Sequence, residues 1–123
     1  MTKALMLRTC NSDMSRSGGF IWPAQGPVSA PDWKPIPGCG NGLHGLLWGA
    51  GDGDLINWDS DAKWLVCEVE LEKVVDLKGT IKVPACVVVH CGNQRSATGY
   101  LLSHGGEGKA ITGTIITAGA MGT

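Results

Sequence analysis

The segment from Trp64 to Leu71 alternates in a way that is typical of a strand in a sheet. Leu65, Cys67, Val69 and Leu71 are all apolar, whereas the residues between them include two glutamates. Because successive side chains of a strand point to opposite faces, the four apolar residues share one face. We therefore predict that this face lies against the core and that the fold is organised around this strand.

Other apolar segments are short enough to add strands to the same sheet. Strands are predicted at residues 3–8, 20–22, 74–77, 80–83 and 87–91. Lys78 and Gly79 separate two of them and indicate a hairpin turn. The segment 43–48 is buried but of uncertain type, and an Asp or Ser cap at 59–63 could start a single helical turn.

Proline and glycine restrict what the rest of the chain can form. Five of the six prolines lie between residues 23 and 42, which excludes a helix there and predicts a long loop or a series of turns. The segment 94–104 has apolar residues at helical spacing and predicts one short helix, weakened by Gly99. Together these features predict a β-rich α+β domain with a small mixed or antiparallel sheet, long Pro/Gly loops and one short helix.

The C-terminal residues differ in composition from the rest. Residues 105–123 are dominated by Gly, Ala, Thr and Ile, as in the opening of a β-solenoid repeat or in a flexible Gly-rich end. We therefore divide the chain into a globular domain, 1–104, and a repeat-like tail, 105–123. Ile111, Ile115 and Ile116 make the tail prone to pair, either with its own sheet or with a neighbouring chain, which would make the protein a homo-oligomer.

Charge and hydropathy narrow the classes of partner and the compartment. The net charge is −1 without a long basic run, which disfavours binding to nucleic acid or to an anionic membrane. No apolar stretch approaches the roughly 20 residues of a membrane span, and the N-terminal segment lacks the apolar region of a signal peptide. We therefore expect a protein of the cytoplasm that is not secreted by a signal peptide.

Five cysteines and three histidines raise the question of metal binding and thiol chemistry. The cysteine count is odd and no pair has Cys-x-x-Cys spacing, so we expect reduced, packed thiols without a metal. A weaker zinc hypothesis uses loop thiols and imidazoles: Cys10, Cys39, His44, His90 and Cys91. Catalysis by Cys39 or Cys91 beside His44, His90 or His104 is a further possibility that depends on distances in space.

Acidic residues and tryptophans each allow two interpretations. A calcium loop would use Asn57, Asp59, Asp61 and Glu68, but its glycine position is occupied by alanine, so solvated acids are favoured. Trp33, Trp48 and Trp58 lie in or beside loops and are candidate interface anchors, although they could also plug a small core.

Three short motifs carry a resemblance to a known family. They are Cys-Gly-Asn-Gly-Leu-His-Gly at 39–45, Asp-Ala-Lys-Trp-Leu-Val at 61–66 and Val-Val-Asp-Leu at 74–77. The chain resembles an uncharacterised family of bacterial and phage domains that often precede Gly-Thr-Ala-Thr-Ala-Gly repeats, which are similar to those of ice nucleation proteins. The resemblance implies a phage or prophage origin and a non-catalytic role, as a virion decoration-type module or the cap of a repeat protein. Its partners would be itself or other assembly proteins, and no cofactor is expected.

A second likeness, at the level of fold, implies an enzyme. The order of strands is loosely similar to that of ADP-ribosyltransferases, which use NAD. Arg8 or His44 would then orient the dinucleotide, and Glu107 would polarise the ribose. This alternative predicts a pocket in which Arg8, His44 and an acid meet.

Overall fold

The structure is a computed structural model that describes residues 2–16, 19–38, 40–106 and 111. Its strands are Lys3–Cys10 (β1), Gly26–Ser29 (β2), Leu43–Leu47 (β3), Lys63–Glu70 (β4), Val75–Asp76 (β5), Ile81–Val83 (β6) and Ala85–Gly92 (β7). They form one sheet in the order β2-β7-β4-β1-β3-β6-β5, and every strand pair is antiparallel. Among the described residues one α-helix is found, Gln94–Leu101 (α1), and it follows β7. The predicted β-rich α+β class is confirmed, and the sheet is antiparallel rather than mixed.

The alternating segment forms β4 near the centre of the sheet, between β7 and β1. Leu65, Cys67 and Val69 lie in one buried cluster, as predicted. For Leu71 the prediction is wrong, because β4 ends at Glu70 and Leu71 is exposed in the 3-10 turn that follows. The opposite face is buried as well, because α1 packs on β4 and encloses Trp64 and Val66 in a second cluster. The sheet is therefore covered on both faces at this strand.

Helix α1 is shorter than the predicted 94–104 and has a defined start. The side chain of Asn93 accepts a 2.8 Å hydrogen bond from the Ser96 amide, and Ser96 Oγ accepts one of 3.0 Å from the Asn93 amide. This capping box satisfies two amides that the first turn leaves without partners. A π-helical turn, Leu102–Gly106, follows α1, and the helical geometry is lost within it at His104 (φ −120°) and Gly105 (φ +111°).

Several local predictions need correction. The predicted strand 20–22 is only an isolated bridge between Ser15 and Ile21. The Pro-rich segment contains strand β2, which tolerates Pro27 because β2 is an edge strand paired only with β7. The predicted helical turn at 59–63 is not helical, and a 3-10 turn forms instead at Gly53–Leu55, capped by Asp52.

The segment 43–48, left open by the sequence, provides strand β3, which pairs with β1 and β6. The predicted hairpin joins β5 and β6, with φ +61° at Lys78 and +98° at Gly79. Positive φ at both central residues matches the right-handed twist of a two-residue hairpin. Of the predicted tail, the structure describes residues 105, 106 and 111, and Ile111 is buried in the second cluster. The remaining tail residues, including Ile115 and Ile116, lie outside the described residues.

Candidate functional site

Arg8 occupies an unusual position for an arginine, near the end of the central strand β1. Its side chain is only 9% exposed. Nε and Nη2 donate hydrogen bonds of 3.2 and 2.9 Å to the Thr9 carbonyl, and Nη1 donates one of 3.0 Å to the His44 carbonyl. The guanidinium carbon lies 4.3 Å from the ring centroid of Trp22, in cation–π contact. The guanidinium is therefore fixed by carbonyl groups and an aromatic ring.

His44 lies beside Arg8 on strand β3. Its Nε2 accepts a 3.2 Å hydrogen bond from the Gly40 amide, which assigns the proton of the neutral ring to Nδ1. Partial burial lowers the pKa of His44, and the positive charges of Arg16, Arg8 and Lys82 lower it further, against a smaller opposing effect of Asp32. His44 is therefore neutral at pH 7 and surrounded mainly by cations.

Arg8 and His44 line a cavity of about 440 Å³. The polar part of its lining also includes Arg16 and the hydroxyl-bearing residues Thr9 and Thr80. The apolar part of the lining comprises Leu7, Leu46, Leu55 and Ile56. None of the described residues that line this cavity is acidic. Cavities of this size and mixed lining are typical of small-molecule sites.

Arg16 and Lys82 add to the positive charge at the cavity. The Nε of Arg16 is buried and has no hydrogen-bond partner within the described part of the chain. Lys82 is only 1% exposed, and its Nζ lies 3.3 Å from the carbonyl oxygen of Gly40, a cavity residue, and 5.6 Å from the ring centroid of Trp33. The ion pairs found among the described residues are Lys3–Glu68 and Lys73–Glu70. Arg8, Arg16 and Lys82 therefore form no ion pair with a described residue.

The thiols do not supply the missing negative charge. Burial raises the pKa of Cys10, and this effect exceeds the opposing attraction of Arg8. The pKa of Cys67 is raised well above its ordinary range, first by a hydrogen bond with Cys86 and then by burial. Both thiols are therefore protonated and uncharged at neutral pH.

The residues of the zinc hypothesis are only partly described. Cys10 is buried, Cys91 is half-buried with its Sγ 3.9 Å from the sulfur of Met14, and His90 bonds Ser96 Oγ at 2.9 Å. Cys39 lies outside the described residues. Among the residues that are described, no three His, Cys, Asp or Glu side chains cluster closely enough to hold a metal ion. The same finding applies to the calcium interpretation, in which Glu68 lies on β4 and pairs with Lys3.

The remaining candidates are distributed over the fold. Trp58 is 51% exposed, although its Nε1 donates to the Gly53 carbonyl at 2.9 Å and its ring packs edge-on against Trp64. Trp33 and Trp48 are half-buried, and Trp48 packs against both core clusters. Ile111 is buried within its own chain. Glu107 lies outside the described residues, and self-association through the tail or the tryptophans stays a prediction.

The enzyme alternative predicts a pocket in which Arg8, His44 and an acid meet. Arg8 and His44 do line one cavity, but none of its described lining residues is acidic, so the predicted set is incomplete. Sequence reasoning missed two cations: Arg16, which lines the cavity, and Lys82, which lies next to the lining residue Gly40. Arg16 lies in a polar loop where no pattern distinguishes it from a solvated arginine. Lys82 lies between Ile81 and Val83, so alternation would place it in water, but all three residues are buried.

Comparison with known sequences assigns the fold to a family. The chain belongs to the family described as Domain of unknown function (DUF7666), whose sequence model matches residues 4–102. The resemblance to an uncharacterised domain family is thereby confirmed at that level. No solved structure matches the chain significantly.

The relatives that carry names are ice nucleation proteins. The chain is 40% identical over 112 residues to ice nucleation protein InaU of Pantoea ananas, an alignment that covers 89% of the chain and 11% of that protein. It is 42% identical over 103 residues to an ice nucleation protein of Pseudomonas syringae, covering 82% of the chain and 9% of that protein. It is 37% identical over 116 residues to an ice nucleation protein of Pseudomonas fluorescens, covering 93% of the chain and 10% of that protein. The chain thus spans about a tenth of the length of these relatives.

These relatives correct two functional predictions. The prediction of a phage- or prophage-encoded structural module, as virion decoration or as the cap of a repeat protein, is wrong, because these relatives are ice nucleation proteins of bacteria. The alternative of an ADP-ribosyltransferase-like enzyme is wrong for the same reason, even though Arg8 and His44 share a cavity.

Within the described residues, no helix is long and apolar enough to cross a membrane.

Proposed function

We propose that this chain works as a domain of an ice nucleation protein and supports ice nucleation without forming the surface that orders water. The observation that carries the proposal is identity of 37 to 42% to several ice nucleation proteins over 82 to 93% of the chain. Identity at this level over nearly the whole domain supports a shared fold and a shared place within the longer proteins.

The covered sheet supports the second half of the proposal. A surface that orders water into an ice lattice needs a regular array of side chains, such as the extended faces that stacked repeats build. Here α1 covers one face of the sheet at β4, and Trp22 lies in the buried cluster on the other face. The large apolar residues that are exposed among those described come from separate parts of the chain, and Val87 alone of them lies on one of the seven strands. They are Ile21, Ile36, Leu55, Trp58, Leu71 and Val87, so they do not line one strand face. The domain therefore fits an accessory role better than a lattice-matching one.

A domain exchange tests the proposal. The 103 matching residues of the Pseudomonas syringae relative are replaced by the aligned part of this chain, and freezing temperatures of droplets containing the expressing cells are recorded. We expect the exchanged protein to freeze droplets at the temperature of the parent, and a deletion of the same residues to require colder droplets.

A pair of variants of the exchanged protein tests whether its effect on freezing requires a folded domain. Leu65→Asp places a charge in the core at a fully buried position and should make the exchanged protein behave like the deletion. Glu68→Gln, on the same strand but half-buried, should leave freezing unchanged. The proposal fails if deletion leaves the freezing temperature unchanged at equal expression, or if the folded exchange behaves like the deletion.

A further inference from the structure

The cavity beside β1 and β3 carries more buried positive charge than the described part of the protein neutralises. Arg8 and Lys82 are buried, the Nε of Arg16 is buried without a hydrogen-bond partner, and none of the three forms an ion pair with a described residue. Taking a charge out of water costs several kcal/mol unless an opposite charge or strong hydrogen bonds offset the loss. Buried cations that have no counter-ion within the protein are a feature of sites that bind an anion.

The three cations are close enough to act together. The charge of Arg16 lowers the pKa of both Arg8 and His44, and the charge of Lys82 also lowers that of His44. Asp32 is the acid that acts on His44, and it is exposed and the weakest of the influences on that ring. Cys10 and Cys67, the thiols near Arg8, are protonated because the pKa of each is raised. The electrostatic field inside the cavity is therefore positive.

From this geometry we infer that the cavity binds a small organic phosphate monoester, with its dianionic head between Arg8 and Arg16. Guanidinium groups are suited to phosphate because their planar donors match its oxygens. A dianion neutralises two guanidinium charges, whereas a carboxylate neutralises one. Thr9 and Thr80 also line the cavity, although the hydroxyl of each already takes part in a 2.8 Å hydrogen bond within the protein.

The apolar part of the lining indicates what is attached to the phosphate. Leu7, Leu46, Leu55 and Ile56 line the same cavity, whose volume of about 440 Å³ is far larger than inorganic phosphate. Leu55 is 55% exposed and the other three are buried, so an apolar group of the ligand would pack mainly on Leu55, which would lose water contact on binding. The ligand class is therefore a phosphate monoester with a compact apolar body.

Titration of defined probes into the full chain tests the inference independently of ice nucleation. The probes are phenyl phosphate, inorganic phosphate and benzoate, and binding is followed by calorimetry and by the NMR signals of His44. We expect phenyl phosphate to bind more tightly than either of the others. We also expect the pKa of His44 to rise in the complex, because an adjacent dianion favours the imidazolium.

Two arginine variants provide the matched control. Arg16→Met should weaken phenyl phosphate binding by about tenfold or more, since a hydrogen bond between charged partners contributes roughly 1.5–3 kcal/mol. Arg95→Met removes the same charge from an exposed position on α1 and should leave binding unchanged. Amide NMR spectra of both variants confirm that they fold.

Each contrary result overturns a defined part of the inference. Absence of phenyl phosphate binding to folded protein rejects the site, and equal weakening by both arginine variants shows attraction to net charge only. Tighter binding of benzoate rejects the dianion. Vesicles of neutral lipid containing phosphatidate present the same head group on a surface, and binding to these alone would reject a soluble ligand.

Discussion

Arg8 Nη1 donates a 3.0 Å hydrogen bond to the carbonyl oxygen of His44 and so connects β1 to β3 through a side chain. The main-chain pairing of these strands comprises Met6 with Leu47 and Leu7 with Leu46. The arginine therefore continues the contact between the strands just beyond the paired residues, at the place where the cavity opens. Because the bond joins Arg8 to the main chain of His44, it holds together two residues that line the same cavity.

Acidification should destabilise the protein through His44. Its folded-state pKa is lowered from 6.5 by burial and by Arg16, Arg8 and Lys82, with Asp32 opposing them weakly. Above pH 6.5 neither the folded nor the unfolded state holds a proton on this ring, so the ring carries no penalty. As the pH falls below 6.5, the unfolded state binds the proton first, and the free energy of unfolding decreases.

Urea unfolding between pH 5 and 7.5 measures this effect. His44→Gln retains a side-chain acceptor for the Gly40 amide but does not titrate, so its free energy of unfolding should fall less below pH 6.5. The other two histidines are present in both proteins and cancel in the difference. Parallel curves for the two proteins would contradict the assignment.

A methyl group at Gly45 should disrupt the packing between β1 and β3. A Cβ at this position would lie 2.5 Å from Cγ of Met6 and 2.8 Å from the carbonyl oxygen of Leu7, which cannot move freely. Gly45→Ala should therefore lower the free energy of unfolding by about 1–3 kcal/mol. Gly99→Ala is the matched control, because nothing lies within 4 Å and the helix should gain about 1 kcal/mol. If both substitutions move the urea midpoint in the same direction, the close contacts at Gly45 do not determine the stability of the variant.

The parts of the fold that were predictable depend on local patterns. Strand β4 was evident from alternation, and the β5–β6 hairpin from a turn dipeptide, because both signals lie within a few residues. Strand β2 was not, because four residues that include Pro27 carry no strand signal until β7 pairs with them. Tertiary pairing, rather than propensity, makes this segment extended.

The cavity was less predictable because its residues come from separate parts of the chain. Arg8 lies on β1, Arg16 in the following loop and His44 on β3, and their approach depends on strand order. Lys82 shows the limit of alternation, since a strand covered on both faces buries a residue that the pattern assigns to water. Charge that is buried without a partner is visible only after folding.

The β5–β6 turn should respond in opposite directions to two substitutions of one residue. Lys78 has φ +61°, a conformation that asparagine adopts readily and β-branched residues avoid. Lys78→Asn should raise the free energy of unfolding by a few tenths of a kcal/mol, and Lys78→Val should lower it by about 1 kcal/mol. Both variants remove the same charge, so thermal unfolding of the pair isolates the backbone effect. The prediction fails if the valine variant is the more stable.

Thiol reactivity should follow burial in the folded protein. In a Cys39→Ser background four cysteines remain, of which Cys91 is half-buried and the others are buried. Burial raises the pKa of Cys91 and Cys10, and a hydrogen bond to Cys86 together with burial raises that of Cys67. Because the thiolate is the reactive form, Cys10, Cys67 and Cys91 should react slowly with an aromatic disulfide reagent, and Cys91 should react first because it is the least buried. Cys86 should react slowly because the reagent cannot reach a buried side chain. Four thiols should become reactive together in urea, and Cys91→Ser should remove the first phase alone. Rapid reaction of more than one thiol in the folded protein would show that the buried cysteines are accessible.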